Sequence, residues 1–171
     1  YIKECIDIAH KLESENVLIA TAPLKEEDKR KKDALIELAL NSVNQCLEYS
    51  TKLNVTIILE HFPNRLVDTT DNLVDFIKKV NSKYFYGLLD TGHLNVLKEN
   101  LGEAIRKIRG LLKHIHFNNN YGEDTHNPME DGTLTKEDFK KCLEALKEVG
   151  YDGYYSFEIM NVKNPRDAAA R

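Results

Sequence analysis

The sequence has few cysteines and no long apolar run. Its three cysteines (Cys5, Cys46 and Cys142) lie far apart, and no two form a CxxC pair. This argues against a disulfide framework and predicts small, buried or half-buried thiols in a reducing compartment. No segment approaches the roughly 20 apolar residues of a membrane span. The first residues, 1–14, are amphipathic and charged, unlike a signal peptide. We therefore expect a cytoplasmic protein with no membrane partner.

The sequence also lacks a basic stripe. Its net charge is −4, and the one dense cationic patch, Lys29–Lys32, directly follows Glu26, Glu27 and Asp28. That arrangement is typical of the solvated start of a helix. Charge therefore gives no support to a nucleic-acid partner.

Apolar runs alternate with helical patterns along the whole chain. Near-continuous apolar runs predict strands that are buried in a parallel sheet, and apolar residues three and four apart predict the helices between them. Thr135 is the predicted N-cap of its helix, and Asn164 with Pro165 predicts a last helix. The predicted strands are 17–24, 55–60, 84–90, 111–117 and 153–159, and the predicted helices are 1–14, 27–52, one with its N-cap at Thr70 or Asp71, 95–109, and one opening after Thr135.

Two α/β architectures fit this alternation, a doubly wound sheet and a barrel. A Rossmann-type sheet is expected to carry a glycine-rich phosphate turn after a strand, and the sequence has none. A (β/α)8 TIM barrel places its chemistry at the carboxyl ends of several strands but needs eight strands and about 250 residues. We therefore expect one domain, residues 1–171, that is the C-terminal portion of a TIM barrel. It has five strands, lacks the first three, and is incomplete in its last helix.

Four potential metal ligands end four successive apolar runs: Glu60, Asp90, His116 and Glu158. Successive parallel strands lie side by side, so these side chains are expected to converge. Burying three carboxylates and an imidazole together is costly without a cation. A strand-end Glu is more often the start of a polar loop, but four matching positions favour a site for one divalent metal ion: Mn²⁺, Mg²⁺, Co²⁺ or Zn²⁺.

A second polar set lies in the loops. His93 follows Asp90 by three residues, and Asp124 and His126 form an Asp-x-His pair within residues 118–126. Because Asn, Gly and Asp favour turns, this segment could be no more than a turn-rich connection. The alternative is a polar subsite beside the first metal that holds substrate or an additional metal ion.

The motifs at these positions resemble those of the xylose isomerase-like TIM barrel superfamily. They are LEHF (59–62), LDTGHL (89–94), HIHFNNNYGEDTHNPMEDGTL (114–134) and GYDGYYSFEI (150–159). That superfamily includes sugar phosphate isomerases and epimerases, inosose-processing enzymes and the AP endonuclease family 2. The resemblance covers nearly the whole chain, in order.

The resemblance implies roles for the residues already named. The four strand-end residues match the shared metal ligands, and His93 matches a histidine that contacts substrate in the isomerases. Asp124 and His126 match an element that, with His93, binds an additional zinc in the endonuclease branch. That branch also has a metal-binding His where this chain has Thr21, Ala22 and Pro23. The departure counts against a complete three-zinc site.

These observations favour a divalent-metal-dependent isomerase or epimerase of a keto-sugar, sugar phosphate or related polyol. The hypothesis is that a metal-stabilised enediolate forms, with Glu60 and Glu158 removing and returning the proton from opposite sides. The first alternative is a zinc-dependent AP endonuclease-like phosphodiesterase, and the second is an inactive sugar-binding barrel fragment. An open sheet edge also invites cover from another chain, so a homo-oligomer is a further expectation.

Overall fold

Helices and strands alternate in the structure, a computed structural model that describes residues 1–160 and 162. The predicted helix at Asn164 and Pro165 lies outside the described residues. Among those residues, no helix is both long and apolar enough to cross a bilayer. The elements are α1 (Ile2–Lys11), β1 (Asn16–Ala20), α2 (Lys32–Ser50), β2 (Thr56–Glu60), α3 (Thr70–Val80), β3 (Phe85–Asp90), α4 (Thr91–Val96), α5 (Leu101–Ile108), β4 (Leu112–Phe117), α6 (Lys136–Glu148) and β5 (Tyr154–Phe157).

The five strands belong to one sheet in the order β1-β2-β3-β4-β5. Strands that follow one another in the chain are therefore neighbours, as expected from a right-handed strand–helix alternation. In the parallel pair β1–β2, Ala20 lies opposite Glu60. In the parallel pair β4–β5, His116 lies opposite Ser156. The predicted α/β class with five strands is confirmed.

The chain forms two compact units, Tyr1–Gly87 and Leu88–Arg171. In the first unit, α2 packs against α1 and α3. Strand β2 is buried along Ile57, Ile58 and Leu59, which are fully inaccessible to solvent. A strand covered on both faces needs this continuous apolar run rather than an alternating one. The prediction of a single domain stays a prediction.

In the first unit, the loops that follow β1 and β2 are hydrogen-bonded to each other. The Arg65 guanidinium donates a hydrogen bond to the carbonyl of Thr21 at 2.6 Å, and the amide of Val67 donates to the Thr21 hydroxyl at 3.1 Å. Pro23 and Arg65 form an isolated antiparallel bridge. The predicted strand 17–24 was therefore wrong in its second half, because these residues turn to pair with the next loop.

In the second unit, α5 and α6 pack against each other, and their apolar faces are buried. Helix α6 opens with a complete capping box: the Thr135 hydroxyl accepts from the amide of Asp138, whose carboxylate accepts from the amide of Thr135. This arrangement satisfies two amides that no helical carbonyl can reach. The prediction of Thr135 as an N-cap is confirmed.

The clearest differences between the predicted and the observed helices lie at three places. The predicted helix 95–109 is two helices, because Lys98 adopts a left-handed backbone (φ 57°) and Asn100 caps α5. The residue that caps α3 is Thr69, whose hydroxyl accepts from the amide of Asn72. The start of the predicted helix 27–52 belongs to a short 3₁₀ helix, Glu26–Lys31, that precedes α2. Each difference arises from a local cap or turn that apolar periodicity does not encode.

Candidate metal centre

Asp90 occupies the junction between a strand and a helix. It is the last residue of β3 and the N-cap of α4, and its Oδ1 accepts a hydrogen bond from the amide of His93 at 2.9 Å. The side chain is fully buried. Burial raises the pKa of Asp90, and the neighbouring His93 opposes that rise. A positive charge near this buried carboxylate would therefore stabilise its ionised form.

His116 and Glu158 meet beside Asp90. His116 lies near the end of β4, and Glu158 is the first residue after β5. The Nδ1 atom of His116 is 2.8 Å from Oε2 of Glu158 and 3.8 Å from Oδ2 of Asp90. His116 and, to a lesser extent, His126 hold the pKa of Glu158 well below its usual range. The contact between β4 and β5 therefore brings together two candidate ligands that are 42 positions apart in sequence.

The loop residues predicted as a second polar set form a connected cluster with these three. Oδ1 of Asp124 lies 3.3 Å from Nε2 of His93 and 3.2 Å from Nδ1 of His126. Nε2 of His126 lies 3.4 Å from Oε2 of Glu158. The nearby Glu158 carboxylate raises the pKa of His126, and the nearby His93 imidazole lowers the pKa of Asp124. The residues of the second polar set therefore lie close together in the structure.

The donor atoms fit a divalent cation. Ligand atoms of Asp90, His116 and Glu158 lie within 4.8 Å of one another, and so do those of Asp90, His93 and His126. Bonds of about 2.0–2.2 Å to nitrogen and oxygen place neighbouring ligand atoms roughly 3 Å apart around one ion. A small contraction of each group reaches that spacing. Carboxylate and imidazole together suit Mn²⁺, Co²⁺ or Zn²⁺, and the carboxylates also suit Mg²⁺.

The remaining sequence candidate is Glu60, and a further histidine, His114, lies on β4. Glu60 ends β2, as predicted, and is buried with 8% of its surface exposed. Its part in the metal site stays a prediction. His114 shares a face of β4 with His116; its Nε2 lies 2.8 Å from the hydroxyl of Ser156, and the two imidazole rings meet edge to face. Burial and the nearby His116 lower the pKa of His114.

The sequence did not indicate the part played by three consecutive asparagines, Asn118, Asn119 and Asn120. They were interpreted as turn formers, but all three are buried. The Asn118 amide donates to Oδ2 of Asp90 at 2.6 Å. The Asn119 amide donates to the carbonyls of Met129 and Leu134. The available signal was a run of amides that directly follows a strand carrying a predicted ligand.

Two glycines allow these asparagines to pack so closely. A Cβ atom on Gly92 would lie 1.9 Å from Oδ1 of Asn118. A Cβ atom on Gly132 would lie 2.2 Å from Oδ1 of Asn119 and 2.6 Å from the amide nitrogen of Asn120. Asn119 and Asn127 form an isolated antiparallel bridge that closes the base of the loop carrying Asp124 and His126. The loop is therefore anchored at its base on both sides.

The fold and the site define an α/β protein with a carboxylate–histidine cluster at the carboxyl ends of parallel strands, the position where barrel enzymes carry their chemistry. Comparison with known proteins agrees: the profile of the xylose isomerase-like TIM barrel family matches residues 1–171. The chain belongs to this family.

Relatives of the chain include sugar epimerases. The chain is 30% identical over 120 residues to the D-psicose 3-epimerase of Ruminiclostridium cellulolyticum, covering 68% of this chain and 39% of the relative. It is 28% identical over 170 residues to an uncharacterized protein of Methanocaldococcus jannaschii, covering 95% of this chain and 57% of the relative. The crystal structure of a D-tagatose 3-epimerase-like protein superposes with a TM-score of 0.84 at 27% identity, covering 98% of this chain and 63% of that one.

The chain spans roughly two fifths to three fifths of the length of these proteins. The structural match over nearly all of this chain confirms the predicted fold, a portion of a TIM barrel. The predicted resemblance to the xylose isomerase-like superfamily is likewise confirmed.

Proposed function

We propose that the protein is a divalent-metal-dependent epimerase or isomerase of a keto-sugar or sugar phosphate. The observation that carries the proposal is the meeting of Asp90, His116 and Glu158 at the ends of strands, with donor atoms spaced for one cation. The relatives support the substrate class, because several are named as epimerases of ketoses.

Glu60 is the proposed fourth ligand. It ends β2 as Asp90 ends β3, and these two strands follow one another in the sheet. Parallel neighbours bring their carboxyl ends to the same edge, so a strand-end Glu is expected near a strand-end Asp. A buried carboxylate also requires a compensating charge. With Glu60 the proposed set has three carboxylates and one imidazole.

The protein's side chains would supply the proton transfer. Glu158 is held ionised by His116 and His126, so it can accept a proton from the substrate carbon next to the carbonyl. Glu60 would hold the complementary proton on the other face of that carbon. His93, buried beside Asp90, would steady a substrate oxygen. A bound divalent metal supplies Lewis-acid polarisation of the substrate carbonyl and its neighbouring hydroxyl.

A second candidate function is phosphodiester hydrolysis of the AP endonuclease type. The observation that favours it is the assembly of His93, Asp124 and His126 beside Asp90, since this set can hold an additional zinc. The sequence has Thr21, Ala22 and Pro23 where that branch carries another metal-binding His. Metal counting separates the two functions: one tightly bound ion per chain fits the epimerase, and three zinc ions fit the endonuclease.

The test is a substrate panel assayed with and without metal. Protein stripped with a chelator is reloaded with Mn²⁺, Co²⁺, Mg²⁺ or Zn²⁺ and incubated with ketoses and ketose phosphates, and products are followed by chromatography and NMR. We expect a metal-dependent conversion of at least one ketose to its epimer or isomer. A duplex with one abasic site is assayed in parallel. Cleavage of that duplex without any ketose conversion would favour the endonuclease function over the epimerase function.

The matched variants are Glu158→Gln and Glu144→Gln. Glu144 is a glutamate on the exposed face of α6 and serves as the control. We expect Glu158→Gln to lower kcat by at least about 100-fold, the usual contribution of a positioned acid or base, and Glu144→Gln to leave kcat unchanged. Equal turnover in the two variants would refute the role of Glu158. Sugar binding without turnover in the wild type would favour the inactive sugar-binding alternative.

A further inference from the structure

Both oxygens of the Asp90 carboxylate are held by protein donors. Oδ1 accepts from the amide of His93 at 2.9 Å, and Oδ2 accepts from the side-chain amide of Asn118 at 2.6 Å. Asn118 follows β4 by one residue, and only 1% of its surface is exposed. A carboxylate oxygen has room for more than one partner, so each oxygen can accept its hydrogen bond and still face a cation.

Asn118 is itself held by the two residues that follow Asp90. Its backbone amide donates to the Thr91 hydroxyl at 3.0 Å, and that hydroxyl donates to the Asn118 carbonyl at 2.7 Å. The missing side chain of Gly92 leaves the space that Oδ1 of Asn118 fills. Residues 90–92 thus contact both the backbone and the side chain of Asn118. These contacts leave the side-chain amide little freedom to rotate.

We propose that Asn118 is a positioning residue of the metal centre, whose amide fixes the orientation in which Asp90 presents its carboxylate to the cation. The proposal rests on the proposed function in one respect, that Asp90 binds the metal. Asn118 does not touch the metal or the substrate. It acts through Asp90, as residues that hydrogen-bond to metal ligands commonly do.

The direction of the hydrogen bond supports this role. The amide nitrogen can only donate, and it is aimed at Oδ2, the oxygen of Asp90 that lies nearer to Nδ1 of His116. The opposite end of the amide, Oδ1, is buried and has no hydrogen-bond partner within residues 1–160. The oxygen of the Asn118 side chain is therefore left without a hydrogen bond, while its nitrogen donates to Asp90.

The experiment compares two neighbouring buried asparagines. Asn118→Ala removes the donor to Asp90. Asn120→Ala, the control, removes a neighbouring amide that donates to the carbonyl of Gly92 rather than to a candidate ligand. The probe is Co²⁺, titrated into chelator-treated protein and followed by its visible absorption, which reports both the dissociation constant and the coordination geometry. Thermal unfolding of the metal-free proteins reports whether each variant folds.

We expect Asn118→Ala to weaken Co²⁺ binding by about 10- to 100-fold and to change the shape of the absorption band. Asn120→Ala is expected to keep the wild-type dissociation constant and band shape even if it lowers the unfolding temperature. Equal losses of affinity in the two variants would overturn the proposal, because they would show a general effect of the loop. Wild-type binding by Asn118→Ala would overturn it too.

A second variant decides the question if Asn118→Ala does not fold. Thr91→Val keeps the shape of the threonine and removes the hydroxyl that holds the backbone of Asn118. The expected result is a smaller loss of Co²⁺ affinity in the same direction, and an unchanged affinity would contradict the proposal. Wild-type protein that binds no Co²⁺, Mn²⁺ or Zn²⁺ would overturn the proposed metal centre itself, and with it the role of Asn118.

Discussion

At the scale of single residues, Glu158 is where the contacts of the candidate metal centre meet. One of its oxygens lies near both His116 and His126 and so links the strand-end set to the loop set. A carboxylate shared by two imidazoles stays ionised at neutral pH, which suits a metal ligand. The place of Glu158 at the end of an apolar run indicated it as a candidate ligand. The sequence could not identify Asn118 as a support of Asp90, because that contact joins the ends of two strands, 28 positions apart.

A prediction at this scale concerns thiol reactivity. Burial raises the pKa of Cys142 to about 12, whereas Cys5 and Cys46 are half-buried. The thiolate is the reactive form and becomes populated only as the pH approaches the pKa, so Cys142 is almost entirely protonated at pH 8. We expect iodoacetamide to label Cys5 and Cys46 in the native protein and Cys142 only after denaturation. Mass spectrometry of the labelled peptides checks this, and rapid native labelling of Cys142 would contradict it.

At the scale of helices and strands, the apolar pattern located the five strands among the described residues and every α-helix except α4, but not every end. The predicted strand 111–117 closely matches β4, because a buried run leaves few alternatives. The break between α4 and α5 was missed, since it depends on one left-handed residue, Lys98, and on the cap at Asn100. The start of α4 at Thr91 was missed as well, because Asp90 serves both as a candidate ligand and as the helix cap.

The capping box of α6 allows a prediction at this scale. Thr135→Ala removes the hydroxyl that accepts from the amide of Asp138 and is expected to destabilise the protein by about 1 kcal/mol. Thr135→Ser retains an acceptor and is expected to lose much less. The free energy of unfolding from urea titrations measures both changes. Equal losses in the two variants would show that the methyl group of Thr135, not its hydroxyl, stabilises the helix start.

At the scale of the whole chain, exposed apolar side chains cluster on and just after β5. Tyr154, Tyr155, Phe157 and Met160 are each more than half exposed. Within the described residues, β5 pairs only with β4, so its other edge has no strand partner. The sequence predicted an open edge from the count of five strands. It did not predict that both faces of β5 are exposed, because its apolar run is typical of a buried strand.

This surface predicts that the 171-residue chain binds a hydrophobic dye. We expect a clear increase in anilinonaphthalene sulfonate fluorescence, since contiguous apolar patches bind such probes and isolated exposed residues do not. Phe157→Ser is expected to reduce the signal. Leu38→Ser, on α2, changes a single exposed residue of similar exposure and serves as the control. An equal signal in both variants would contradict the assignment of the dye site to β5.

The measurement that tests the central claim most directly is hydrogen exchange between the substrate and the solvent. Metal-loaded protein is incubated in D₂O with the ketose found in the substrate panel, and NMR measures deuterium at the carbon next to the carbonyl. We predict one deuterium at that carbon, no incorporation after metal removal, and loss of incorporation in Glu158→Gln. Conversion of the ketose with undiminished deuterium incorporation in metal-free protein, or in Glu158→Gln, would contradict the account.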